Sequence, residues 1–201
     1  MGGPLEFWFE FASSYSYPAA MRVEDAARAA GVSLAWKPFL LGPIFGLQGW
    51  NDSPFNIYPA KGRYMWRDLE RICGKLGLPL RRPSRFPRNG LLAARVALVG
   101  AGAPWEVHFV RAVYRANFAD DRDIADAAVV RDLVTQAGAD GAAVLESAQS
   151  RENKERLRRQ TDEAIGLGIF GAPTFVSRGE LFWGNDRLED ALDWHLAHGN
   201  G

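Results

Sequence analysis

The pattern of apolar and polar positions predicts strands at both ends of the chain and helices between them. Residues 5–11 form an apolar run that stops at a cluster of hydroxyl side chains, as a buried strand does where it leads into a helix. Residues 19–30 have helical spacing and are closed by Gly31, and residues 32–39 alternate toward a second strand. This order predicts a β-α-β unit, whose crossover is right-handed by strong precedent.

The middle of the chain changes character at residue 40. Residues 40–59 carry several glycines and prolines and are predicted to form a long irregular connection, which in a compact domain is usually functional. The following stretch, to residue 167, is predicted to be mostly helical. Its helices are expected over residues 63–76, 91–101, 105–116, 127–137 and 141–164, with Asp140 capping the last.

The final part of the chain returns to strands. Residues 174–177 and 180–183 predict a hairpin that turns at Arg178-Gly179, and residues 186–197 predict a closing helix. The order β-α-β, helical block, β-β-α predicts an α/β thioredoxin-like fold with an all-helical insertion. The thioredoxin-like domain is then discontinuous, over residues 1–41 and 168–201, and residues 42–167 form the loop and the helical insertion.

Composition and charge indicate a globular protein with no electrostatic preference for nucleic acid or membranes. The 201 residues are 47% hydrophobic, and Lys and Arg together number 24, as do Asp and Glu. No apolar window is long enough to span a bilayer, and the N-terminus lacks the features of a secretory signal, so we expect a cytoplasmic protein. The three histidines lack metal-ligand spacing, and no metal site is expected.

The hydroxyl cluster at residues 13–16 is the first candidate for chemistry. In a thioredoxin-type fold the turn that carries it faces a cis-proline loop, and we therefore expect the Ala172–Pro173 peptide to be cis. Unpaired backbone N–H groups and the helix dipole stabilise an anion at a helix N-terminus. Ser13 can donate a hydrogen bond to a thiolate supplied by a ligand. The alternative interpretation is that Ser13, Ser14 and Ser16 are ordinary helix caps.

The same cluster excludes disulfide exchange. Ser13 and Ser16 stand where redox-active members of this fold carry the two cysteines of a Cys-x-x-Cys motif. The single cysteine, Cys73, lies in a predicted helix and is expected to be a packed structural thiol.

Four segments, residues 10–17, 59–69, 168–175 and 184–188, together carry a family resemblance. In this order and spacing they resemble the 2-hydroxychromene-2-carboxylate isomerases and kappa-class glutathione transferases, within the DsbA-like branch of thioredoxin folds. The resemblance covers essentially the whole chain. It implies glutathione as the cofactor, a small aromatic carboxylate as the substrate, and a homodimer.

The resemblance also implies roles for residues in the first half of the chain. Ser13 would hydrogen-bond the sulfur of glutathione, and Lys61 would form a salt bridge with one of its carboxylates. Asn51 lies near the position of the asparagine that accompanies this lysine in the family. We expect the helical insertion to pack so that Lys61 comes within salt-bridge reach of a ligand at Ser13.

Four further residues are implied near the C-terminus. Ala172, held by Pro173, would offer its backbone N–H and C=O to the cysteinyl part of glutathione. Asn185 and Asp186 would hold the γ-glutamyl end, with the aspartate taking the ammonium group. Glutathione has one ammonium and two carboxylates, so partners of both signs are needed.

By resemblance, the leading hypothesis is a glutathione-dependent cis-trans isomerase of 2-hydroxychromene-2-carboxylate-type aromatic 2-oxo acids. The thiolate would add to an unsaturated substrate, allow rotation about the former double bond, and leave again. Two alternatives stay open: a kappa-type glutathione transferase or peroxidase acting on other substrates, and a thioredoxin-fold module that binds peptides or ligands without turnover. Lys61 and Asp186 favour the enzyme, because a peptide-capture surface needs no charges matched to a zwitterionic tripeptide.

Overall fold

The protein is built on a four-stranded mixed sheet, described over residues 3–199 in a computed structural model. The strands are β1 (Leu5–Phe9), β2 (Leu34–Pro38), β3 (Thr174–Ser177) and β4 (Glu180–Trp183), in the order β2-β1-β3-β4. Strand β1 runs parallel to β2 and antiparallel to β3, and β3 and β4 form an antiparallel hairpin. The predicted thioredoxin-like fold with helices between its two halves is confirmed.

Ten helices cover and connect these strands in the part of the chain from residue 3 to residue 199. They are α1 (Ser16–Ala29), α2 (Leu41–Leu47), α3 (Pro54–Ile57), α4 (Pro59–Leu76), α5 (Leu91–Val99), α6 (Glu106–Phe118), α7 (Ala127–Gln136), α8 (Gly141–Gln149), α9 (Arg151–Gly166) and α10 (Leu188–Ala197). A short 3₁₀ turn, Asn185–Arg187, leads into α10.

Helix α1 begins three residues earlier than the apolar spacing predicts. Pro18 lies in its first turn, where the missing N–H costs no hydrogen bond, so the proline does not kink the helix. The helix therefore starts directly after the hydroxyl cluster.

The prediction that residues 40–59 form an irregular connection is wrong, because this segment contains the short helices α2 and α3. Pro54 and Pro59 are the first residues of α3 and α4, a position that tolerates proline well. The single predicted helix over residues 141–164 is also wrong. Ser150 has an extended backbone and accepts a hydrogen bond from the Asn153 N–H, so α8 ends before it and α9 begins after it.

The hairpin prediction is confirmed at both strands. Its two turn residues, Arg178 and Gly179, both have positive φ, at 54° and 84°. Such a turn matches the twist of the flanking strands, and glycine adopts it without a steric cost.

Side chains from both faces of β1 form the core. Phe7 stacks on Phe9 and on Phe175 of β3, with both ring-centroid distances 5.3 Å. Trp8 points to the opposite face and packs against Phe39. Because β1 is buried on both faces, its sequence is a nearly continuous apolar run with little alternation of apolar and polar residues.

The larger of the two core clusters draws side chains from β1, β2, β3, α1 and the helices α4 to α10. The division into residues 1–41 with 168–201 and residues 42–167 stays a prediction, and its outermost residues, 1–2 and 200–201, lie outside the described part of the chain. Within residues 3–199, no helix has both the length and the hydropathy that crossing a bilayer requires.

Helices α3 and α4 approach each other closely at Gly62. A Cβ atom at this position would lie 2.2 Å from the Phe55 carbonyl oxygen, which no backbone tolerates. This contact holds the segment that carries Phe55 against the first turn of α4, where Lys61 lies.

We expect Gly62→Ala to lower the free energy of unfolding by about 1–3 kcal/mol, because the added methyl group forces α3 away from α4. The matched control is Gly74→Ala on the same helix, where a Cβ meets nothing within 4 Å. That change should be neutral or raise stability by up to about 1 kcal/mol through helix propensity. Urea denaturation of both variants tests this, and equal stabilities would contradict the close approach.

Candidate active site at the Ser13 turn

Ser13 lies in the turn between β1 and α1 and is half-buried. Its Oγ accepts a hydrogen bond from the Ser16 N–H, with a donor–acceptor distance of 3.4 Å, so it does cap the start of the helix. The same Oγ donates to the Ala172 carbonyl oxygen at 2.8 Å. Ser13 is therefore both a helix cap and the link to a segment 159 residues away.

The segment opposite Ser13 is the loop before β3. The Ala172–Pro173 peptide is cis, as predicted. Two contacts to the end of β4 fix this loop. The Pro173 carbonyl accepts a hydrogen bond from the Gly184 N–H at 2.9 Å, and Gly171 leaves room for the indole of Trp183, which a Cβ would approach to 2.5 Å.

The start of α1 offers hydrogen-bond donors beside Ser13. Within residues 3–199, the backbone N–H groups of Ser14 and Tyr15 have no acceptor. The first turn of α1 contains no acidic side chain. Free N–H groups and the positive end of a helix dipole favour an anion at this point.

Helix α4 packs against the same turn through two residues. The Ser14 hydroxyl donates to the sulfur of Met65 at 2.8 Å, and the Tyr15 hydroxyl donates to the Asp68 carboxylate at 3.0 Å. Burial and the neighbouring Asp68 charge raise the pKa of Tyr15, so its hydroxyl stays a donor.

Lys61 lies on the helix face that makes these contacts. Lys61, Met65 and Asp68 are spaced four and three residues apart and share one face of α4. The Lys61 side chain is exposed, and its ammonium lies 4.7 Å from the centroid of the Tyr58 ring. Its salt bridge to a ligand stays a prediction.

Asn185 and Asp186 follow the turn at Gly184. Asn185 is buried, and its Oδ1 accepts from the Arg22 Nε of α1 at 3.2 Å. With this oxygen occupied, the side-chain amide N–H₂ is the group left for other contacts. Asp186 is exposed, and its carboxylate lies 3.3 Å from the Arg187 guanidinium.

Of the seven predicted site residues, five are linked by hydrogen bonds within residues 3–199, and Lys61 and Asn51 are not. Hydrogen bonds join Ser13 to Ala172, and Pro173 to the turn that carries Asn185 and Asp186. Asn51 lies exposed in the bend between α2 and α3, and no hydrogen bond between residues 3 and 199 ties it to this group.

Sequence reasoning missed Glu10, a buried carboxyl directly beneath the Ser13 turn. Its Oε2 accepts a hydrogen bond from the Ala12 N–H at 2.9 Å, and its backbone carbonyl accepts from the Tyr114 hydroxyl at 3.0 Å. Burial raises the pKa of Glu10 to about 8, against the lowering effect of the Ala12 and Ser13 N–H groups. The signal in the sequence is weak, because Glu6 and Glu10 both interrupt the apolar run at residues 5–11 and the sequence does not tell which of the two is buried.

A scan against known families finds that the DSBA-like thioredoxin domain family matches residues 4–194. The chain is 31% identical over 194 residues to a 2-hydroxychromene-2-carboxylate isomerase from Sphingobium xenophagum, covering 96% of this chain and 97% of that relative. It is 27% identical to glutathione S-transferase kappa 2 of Caenorhabditis elegans, covering 94% of this chain and 90% of that one.

A solved structure gives the same result for the fold. The crystal structure of a 2-hydroxychromene-2-carboxylate isomerase superposes with a TM-score of 0.84 at 27% identity, covering 98% of both chains. Strands, helices and their order are thus those of a family in which isomerases and kappa-class transferases both occur.

The raised pKa of Glu10 predicts how the stability of the fold depends on pH. The unfolded carboxyl titrates near 4.5 and the folded one near 8, so between these values the folded chain holds a proton that the unfolded chain has released. The stabilisation is fully present below pH 4.5 and is lost as pH rises to 8. We expect a fall of up to about 1.4 kcal/mol per pH unit in this window, and Glu10→Gln should remove it.

Urea denaturation between pH 5 and 8 measures this difference. The control is Glu70→Gln, which removes an exposed carboxyl from α4 and should keep the wild-type slope. Parallel pH dependences for wild type and Glu10→Gln would show that the folded protein carries an ionised Glu10.

Proposed function

Because the chain belongs to the DSBA-like thioredoxin domain family, in the group of 2-hydroxychromene-2-carboxylate isomerases and kappa-class glutathione transferases, we propose that it is a glutathione-dependent cis-trans isomerase of aromatic 2-oxo acids. The observation that carries this proposal is the hydrogen bond from Ser13 Oγ to the Ala172 carbonyl. Its two groups match the two polar groups of a bound cysteinyl residue.

The match follows from donor and acceptor chemistry. When the Ser13–Ala172 bond opens, it leaves one O–H donor and one C=O acceptor side by side. A cysteinyl thiolate accepts from the first, and the cysteinyl N–H donates to the second. The free Ser14 and Tyr15 N–H groups add positive potential where the sulfur would lie. The residues present therefore fit a thiol-containing peptide.

Charged and amide groups around this pair fit the ends of glutathione. Lys61 would bind a carboxylate, and by family resemblance Asn51 would accompany it. The free amide N–H₂ of Asn185 would donate to the γ-glutamyl carboxylate, and Asp186 would accept from the ammonium group. Arg22 supports this arrangement because it holds Asn185 in place from α1.

When bound, glutathione would supply a thiolate that adds reversibly to a conjugated double bond. The contribution of the protein is to hold and orient the reactants and to keep the sulfur ionised. Ser13 donates to the sulfur, and the cis-proline loop fixes the cysteinyl backbone. Glu10, protonated at neutral pH, keeps negative charge away from the back of the Ser13 turn.

A second candidate is glutathione conjugation or peroxide reduction, which the similarity to a kappa-class transferase supports. The same Ser13 site would serve either reaction. A non-catalytic binding module is the third interpretation, and turnover of any of these substrates separates it from the other two. We further propose a cytoplasmic homodimer, on family resemblance.

The direct test is a glutathione-dependent change in the absorbance of 2-hydroxychromene-2-carboxylate. Conjugation of an electrophile without isomerisation would favour the transferase. Tight binding of glutathione without turnover would favour the binding module.

We expect Ser13→Ala to bind glutathione almost as well as the wild type but to raise the pKa of the bound sulfur. A hydrogen bond to a charged group contributes about 1.5–3 kcal/mol, so the rise should be roughly one to two units. Turnover near neutral pH should fall about tenfold to a hundredfold. Thiolate absorbance of the glutathione complex against pH measures the shift.

The matched control is Ser16→Ala, because the Ser16 side chain is fully buried at the first residue of α1 and cannot reach a ligand at the surface of the Ser13 turn. It should change the sulfur pKa much less. If all three titration curves coincide, the helix N-terminus or another residue activates the thiol, and Ser13 is only a cap.

Lys61 gives a separate prediction for affinity. We expect Lys61→Gln to weaken glutathione binding about three- to tenfold, the loss of one partly exposed ion pair, with little effect on the sulfur pKa. Lys75→Gln, at the other end of the same helix, is the control and should bind like the wild type. Calorimetric titration with glutathione measures the affinities. Equal affinities of the wild type and Lys61→Gln would show that Lys61 does not contribute to binding.

A further inference from the structure

A cavity away from the Ser13 turn lies at the β2 edge of the sheet, between α2, α5 and α9. It has a volume of about 420 Å³, which is within the range of small-molecule pockets. Its apolar wall consists of Leu40, Pro43, Leu91 and Leu157. None of the residues proposed to bind glutathione lines it.

Three cations surround this apolar wall. Arg95 comes from α5, and Lys154 and Arg158 come from α9, one turn apart on the same face. The acidic residue on the rim is Asp162. No ion pair within residues 3–199 involves any of these four residues, although Arg158 and Asp162 are four positions apart. The cavity therefore carries an uncompensated positive charge.

Arg95 is the informative member of this group. Its Nε is buried, whereas its two terminal nitrogens are accessible at the cavity and have no hydrogen-bond partner among the described residues. An arginine guanidinium binds a carboxylate well through such a pair of donors. The backbone at this position is held, since the Arg95 carbonyl accepts from Asn153 Nδ2 at 2.9 Å.

Arg88 provides a comparison, because its buried guanidinium is held by acceptors within the protein. Arg88 is 5% exposed, and its nitrogens donate to the Asn117 side chain and carbonyl, the Ser84 hydroxyl and Asp121. Arg95 has no such set of acceptors. The terminal nitrogens of Arg95 are therefore available to a ligand in the cavity.

We propose that this cavity binds a small molecule with an apolar, aromatic body and one carboxylate group. The leucine wall would cover the ring, and the planar Arg95 guanidinium would take the carboxylate through its two terminal nitrogens, a geometry that arginine forms well. Lys154 and Arg158 would add attraction at the rim. This inference does not rest on the proposed function, because it uses neither Ser13 nor glutathione.

The probe is naphthalene-1-carboxylate, titrated into the full chain and followed by calorimetry and ligand-observed NMR. We expect binding that weakens with added salt. Arg95→Gln should weaken it about tenfold or more, because a buried charge-assisted contact is lost. Lys154→Gln and Arg158→Gln, both at exposed positions, should each weaken it about two- to fivefold.

Two controls separate this cavity from other sites. Arg159→Gln removes the same charge from an exposed position of α9 that does not line the cavity, and it should leave the affinity unchanged. Ser13→Ala, and saturating glutathione, should also leave it unchanged. Naphthalene-1-carboxamide, which lacks the negative charge, should bind at least tenfold more weakly than the carboxylate.

Several outcomes would overturn the proposal. These are no binding at millimolar probe, equal affinity for the carboxamide, or an effect of Ser13→Ala without an effect of the rim variants. Binding of inorganic phosphate as tight as that of the carboxylate would remove the role of the apolar wall. Since Lys154 and Arg158 are exposed, their variants keep the test valid if Arg95→Gln does not fold.

Discussion

The antiparallel pairing of β1 with β3 brings together two segments that lie at opposite ends of the chain. Phe7 pairs with Phe175 in this ladder, and both rings stack in the core. The ladder ends where Ser13 and Ala172 face each other. A register shift of one residue would move Phe7 to the opposite face of the sheet, away from Phe175, and would displace the two loops relative to each other, so the packing that stabilises the sheet also sets the geometry of the site.

Local signals in the sequence account for the parts of the fold that could be predicted. The β3–β4 hairpin has a short turn that Arg178 and Gly179 specify almost alone. Its two predicted strands begin and end at the same residues as the observed ones. Helices α2 and α3 could not be predicted, because proline and glycine indicate a loop in isolation, whereas Pro54 and Pro59 occupy helix starts. The break at Ser150 depends on a single capping contact in a polar region with continuous helical spacing.

Some features of the candidate site could likewise be predicted from the sequence, and others could not. The facing of Ser13 and Ala172 follows from topology, since strand order alone puts both loops at one end of the sheet. Glu10 and Asp68 could not be recognised from the sequence, because their roles depend on what the helical insertion covers. Gly90 closes over Glu10, and a Cβ there would lie 3.0 Å from the carboxyl oxygen. Burial of this kind is a property of the assembled fold.

The Ser13–Ala172 hydrogen bond would also determine which thiols the proposed site prefers. In the free protein the hydroxyl and the carbonyl satisfy each other, so any ligand must first separate them. A thiol without a neighbouring amide N–H replaces the acceptor for Ser13 but leaves the Ala172 carbonyl without a donor, at a cost of about 1–3 kcal/mol. If the proposed site binds a peptide thiol, hydrosulfide and simple alkyl thiols would therefore bind more weakly by a factor of roughly ten to a hundred, before any charged group takes part. Selectivity for the peptide bond beside the sulfur would thus come from a hydrogen bond within the protein itself.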